Sequence, residues 1–220
     1  MKTIRSFALV SALGLALSSA GAVASNDANL SLSATVIPAA CTLSNGGNFD
    51  FGDTNASQID RNAMTLLDTE VTQLRVVCDQ PAPVALLLTG LDVASQVLLP
   101  IPAYTGLTTP ASNSQGGLGY KNGSKIGSFQ AEVKYNSFTD NGTSILTIAS
   151  PEDSLSWGLS ATMRLGTGRL ISFGTRYQPL PVTDLVGDLR VRVGIAHDQG
   201  LTFEDSIEFE SNAAIELVYL

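Results

Sequence analysis

Across 220 residues the chain is 44% hydrophobic and 15% charged, with a formal net charge of −8. That is enough apolar material for a real core in one domain of ordinary size. Its 12 lysines and arginines are scattered with no basic run, which excludes a surface built for nucleic acid.

Residues 1–24 read as a secretory signal peptide. Lys2 and Arg5 start it, the run FALVSALGLALSSAGAVA follows, and Ala22-Val23-Ala24 is a small-x-small cleavage pattern. Cleavage after Ala20 is the alternative. No later apolar run reaches the ~18 residues of a membrane span. Export sets the chemistry of the two cysteines: an isolated pair, Cys41 and Cys78, reads as a disulfide.

The remaining chain, 25–220, reads as one all-β domain with a period of two. LSLSATVI (30–37) sets Leu30, Leu32, Ala34 and Val36 against Ser31, Ser33 and Thr35. TEVTQLRVVC (69–78) puts Leu74, Val76 and Cys78 on one face, and PVALLLTG (83–90) is continuously apolar, as a strand buried on both faces would be. Residues 96–127, rich in Pro, Gly, Ser and Asn, read as a long loop or insertion. SFQAEVKY (128–135) sets Phe129, Ala131, Val133 and Tyr135 against Gln130, Glu132 and Lys134. TSILTIAS (143–150), LSWGLSATMRL (155–165), RLISFGT (169–175), DLRVRVGIA (188–196) and SIEFESNAAIELVYL (206–220) continue the strand pattern. KNGS (121–124) and DNGT (140–143) are hairpin-turn sequences. Many short strands with frequent turns indicate a β-sandwich.

PAACTLSNGG near the start, VVCDQPAPVALLL in the middle and IELVYL at the end together resemble chaperone–usher pilin subunits. The similarity is greatest to a fimbrial-like, largely uncharacterised branch. The resemblance implies an immunoglobulin-like sandwich lacking its last strand, with a groove beside the C-terminal strand. A periplasmic chaperone fills such a groove by β-augmentation, and another fimbrial subunit later replaces the chaperone strand at the outer-membrane usher. On this resemblance the groove residues are Ile207, Phe209, Ala213, Ile215, Leu217, Tyr219 and Leu220, and the chain passes through the periplasm to a fimbrium at the cell surface. Many pilins carry glycine fourteen positions from the end, where this chain has Ile207.

The start departs from that pattern as well. Only SNDAN (25–29) precedes LSLSATVI, too short and polar to fill a groove. Three readings stand: Leu30, Leu32, Ala34 and Val36 themselves form the donor strand, the subunit accepts a strand without donating one at a fibre tip, or it does not polymerise.

Enzymatic and cofactor roles find little support. There is no GxSxG elbow, and the single histidine, His197, ends a strand beside a turn. No metal-ligand spacing accompanies it, so no metal or cofactor is expected. Trp157, Tyr104 and Tyr120 would suit sugar stacking if exposed, so a host glycan or protein receptor is the expectation for adhesion. A free secreted ligand-binding β-sandwich is the alternative function.

Overall fold

The computed structural model describes residues 39–45, 48–197, 200–201 and 206–220. The possible donor residues Leu30, Leu32, Ala34 and Val36 and the signal segment lie outside them. Eight strands carry the architecture: β1 (Cys41–Asn45), β2 (Glu70–Ala82), β3 (Val84–Thr89), β4 (Gly127–Val133), β5 (Leu146–Pro151), β6 (Arg169–Thr175), β7 (Val182–Ile195) and β8 (Ala214–Tyr219). The helical content among the described residues is one 3-10 turn, Ala56–Gln58.

All pairings are antiparallel. One sheet runs β1-β2-β7-β4 and ends on the short strand Gly116–Gly117; the other runs β5-β6-β3-β8. The inward faces of both sheets share one core, with Leu74, Val76, Leu185 and Leu189 from the first and Leu86, Leu88, Ile171 and Phe173 from the second. Phe138 joins it, its ring 4.6 Å from that of Phe173. Gly187 lies under the Phe138 ring, where a Cβ would collide with it.

The period of two accounts for most of this. In β2, Leu74, Val76 and Cys78 are buried while Arg75 and Val77 face solvent. In β7 the odd positions from Leu185 to Ile195 face the core. A register irregularity between Val182 and Asp184 lets even-numbered Val182 be buried too. The unbroken apolar run of β3 is buried on both faces. Val84, Leu86 and Leu88 enter the main core, while Ala85 and Leu87 pack outward with Leu170, Trp157 and Val218. The NG turns form as their sequences require: Asn122 and Gly123 have φ of 51° and 83°, and Asn141 and Gly142 have 48° and 78°.

The disulfide forms between Cys41 and Cys78, which are directly opposed in the β1–β2 ladder. It fastens the edge strand β1 to the interior of its sheet. Closing a loop of 37 residues is worth roughly 3–4 kcal/mol on the chain-entropy account.

Two segments depart from the strand pattern. Residues 155–165 form no strand. Gly158 makes a single bridge to Ala149 on β5 and Arg164 one to Glu132 on β4, because this stretch passes from the edge of the second sheet to the edge of the first, with Trp157 packed on the outer face and Met163 and Leu165 in the main core. Within 206–220, ladder pairing covers only Ala214–Tyr219.

The 96–127 insertion is packed against the sheet rather than hanging from it. Leu99 and Ile101 are buried with Ala196, against the outer face of β7, where Gly194 leaves room for them. Beneath it, the polar face of β4 is buried as thoroughly as the apolar one. Ser128 Oγ donates to Val97 O at 2.7 Å, and Glu132 accepts from Tyr104 N–H at 2.8 Å. Glu132 also pairs with Arg190 at 2.6 Å, and the Arg190 guanidinium stacks 3.4 Å over the Tyr104 ring. Arg192 donates to Pro102 O at 2.8 Å, and Arg164 to Thr109 O at 2.6 Å and Leu107 O at 2.9 Å. Burial lowers the pKa of both arginines, with Glu132 opposing the shift.

Two stability measurements check this account. Phe173→Ala costs about 3–5 kcal/mol in urea unfolding, as loss of a fully buried aromatic does. Glu132→Ala costs about 3–5 kcal/mol by stranding buried Arg190, while a paired apolar replacement of both restores most of it.

Candidate functional site

The two sheets adjoin along one side through edge strands, β1 and β8, and no described residue pairs between them. In an antiparallel ladder, hydrogen-bonded and non-hydrogen-bonded pairs alternate. Leu220 N–H donates to Pro83 O, which puts the backbone groups of Glu216 and Val218 toward β3 and those of Ile215, Leu217 and Tyr219 outward. On β1, Asp79 N–H donates to Ala40 O, so Cys41, Leu43 and Asn45 present their backbone groups outward.

Between these edges lies a cleft of about 670 Å³ that reaches the core. Leu43, Phe49 and Phe51 form one wall, Phe209, Ala213 and Ile215 the other, and Leu74 and Val191 belong to its floor. A second chamber of about 380 Å³ continues it past Phe209, between Ile59 and Ile207. Apart from exposed Ala213, the wall side chains are partly buried and pack on the core. At the other end the cleft is closed, where Tyr219 Oη accepts the Cys41 N–H at 2.7 Å.

The structure brings together most of the residues expected from the C-terminal alternation. Ile207, Phe209, Ile215 and Leu217 are half-buried against the core, and Ala213 lines the cleft while itself exposed. Between them Glu208, Glu210, Asn212 and Glu216 are exposed, so the inside–outside alternation persists through 206–212, where no ladder is described. Leu220 is the exception. It has the parity of the outward face, its side chain is 40% exposed, and its N–H is engaged with Pro83. Ile207 replaces the glycine of the pilin pattern and fills one wall of the second chamber.

The opposite wall was not anticipated. Phe49 and Phe51, in NFDFGD, do alternate at period two, and that spacing was the available signal. The aromatic residues considered for sugar stacking are engaged elsewhere. Trp157 packs on Ala85 and Leu87, Tyr104 lies under Arg190, and the Tyr120 hydroxyl donates to Ala94 O at 2.7 Å. His197, the chain's single histidine, is far in sequence from both cysteines. No group of three or more metal-ligating side chains occurs among the described residues.

No family model matches the chain. It is similar to the uncharacterised protein YhcF of Escherichia coli K12, with 25% identity over 231 aligned positions covering 94% of this chain and 96% of that one. Among solved structures it is similar to the P pilus rod subunit PapA, with 14% identity, a TM-score of 0.35 and coverage of 82% of this chain and 99% of PapA. At that TM-score the likeness sets no topology.

Tyr219→Phe removes the bond that closes the cleft. It lowers the unfolding free energy by about 0.5–1 kcal/mol and speeds hydrogen exchange at the Cys41 amide, measured by urea titration and by NMR.

Proposed function

We propose that this chain is a fimbrial-like subunit, an incomplete immunoglobulin-like sandwich that is completed by a strand from another chain. The observation that carries this reading is the juxtaposition along the cleft. Among the described residues, the outward backbone groups of Ile215 and Leu217 have no ladder partner, and they lie beside core side chains that remain half-exposed. A strand laid there would make ladder bonds with β8 and insert alternate side chains into the core, which is the physics of β-augmentation. An edge of this kind is also an aggregation hazard, which is the need a dedicated periplasmic chaperone meets. The expected partners are that chaperone, an outer-membrane usher and other fimbrial subunits. The disulfide suits an oxidising, exported setting.

Hydrogen exchange tests this at single residues. In the free protein the amides of Ile215 and Leu217 exchange quickly, and those of Glu216 and Val218 slowly. On binding a periplasmic chaperone or a strand peptide, Ile215 and Leu217 become protected. Failure to form a complex, or a complex that leaves those two amides unprotected, refutes the reading.

A further inference from the structure

The cleft also says which strand it would take. A strand running along β8 and the 206–213 stretch would place alternate side chains in the core. The others would lie on the outer face, beside Glu208, Glu210 and Glu216. All three are exposed, and none makes a salt bridge among the described residues. Glu216 accepts a hydrogen bond from Thr89 Oγ1 at 2.6 Å, which holds it on the β3–β8 outer face. The nearby cation Lys121 is spent on the Ser206 carbonyl, at 2.9 Å. Exposed Asp53 adds charge of the same sign at the second chamber. Cross-strand neighbours of opposite charge stabilise a pairing and like charges oppose it.

We infer that the cleft is selective for a strand of another chain that alternates apolar residues inward with lysine or arginine outward, the three glutamates acting as the charge filter. This rests on the reading of the cleft as a strand acceptor. The protein's own sequence sharpens it. SNDANLSLSATVI (25–37) alternates correctly but offers Ser31, Ser33 and Thr35 outward, contains Asp27 and has no basic residue. The stretch that does alternate apolar with basic residues, LRVRV (189–193), is already the buried centre of β7. A second copy of this chain is therefore a poor donor, and the filter favours a different, basic-faced partner.

The test uses the full mature chain with its disulfide intact and four peptides. A strand from Ile207 to Leu217 spans about 11 residues, or roughly 35 Å. Three peptides of that length alternate valine with lysine, serine or glutamate, and the fourth is residues 25–37. Affinities are read by fluorescence anisotropy at low salt and at ~1 M salt, where the screening length falls to ~3 Å. The lysine peptide binds about tenfold tighter than the serine peptide and the 25–37 peptide, and the glutamate peptide binds weakest. The lysine advantage disappears in high salt and in the Glu208→Gln/Glu210→Gln/Glu216→Gln variant. Equal affinity for all four overturns the inference and leaves the strand-acceptor reading standing. A lysine preference that survives the triple substitution overturns the role of the glutamates. No binding of any alternating peptide removes both readings.

Discussion

A sheet with two apolar edges of core cannot be left open to water without consequence, and that constraint organises this molecule. Two antiparallel sheets share the core of Leu74, Leu86, Leu185 and Phe173, and each contributes an edge strand to the same side. Elsewhere Phe138 closes over Gly187, and Trp157 covers part of the outside of β3 and β6. Between β1 and β8 the layers, among the described residues, meet at one end only, where Cys41 N–H donates to Tyr219 Oη. Backbone groups without a ladder partner among the described residues and partly wet apolar walls are there together, two costs that a single extended strand would relieve at once.

The outer face of the first sheet shows the opposite treatment. A polar face that would serve adequately in water is instead roofed by the 96–127 insertion, which forces Glu132, Arg190 and Arg164 out of solvent. Such burial gives little net stability, since desolvation offsets most of the attraction. It does impose geometry, because each buried charge must meet its assigned carbonyl or carboxylate. The insertion is thereby held in one position, and its far end borders the cleft, where Leu118 joins the lining and Gly117 O accepts from Ser211 Oγ at 2.8 Å.

Legibility in the sequence followed what periodicity can report. Alternation marks which side chains share a face, so Leu74, Val76 and Cys78, the odd positions of β7, and Ile207 through Leu217 were all readable. It does not report what covers a polar face. Gln130 and Glu132 read as the polar face of their strand, yet they lie with Arg190 and Arg192 beneath the insertion, because nothing local distinguishes a polar residue facing water from one facing a folded loop. Alternation also does not distinguish a strand from a crossing segment with similar composition, which is why 155–165 misled. The wall of Phe49 and Phe51 was hidden for a third reason: its alternating run is too short to stand out among the turn residues around it. The ladder edges themselves, on which the cleft depends, are a property of strand order and carry no sequence signature.

The bond between Tyr219 and Cys41 joins residues 178 positions apart, and β8 pairs with β3 across most of the chain. Contacts of such separation form slowly, since a long loop must close before they contribute. The core therefore cannot finish assembling until β8 is available to pair. Throughout that interval β3, one of the most apolar strands in the protein, lacks its neighbour on one side. The chain order of the strands thus lengthens the period in which an apolar edge is exposed and able to aggregate.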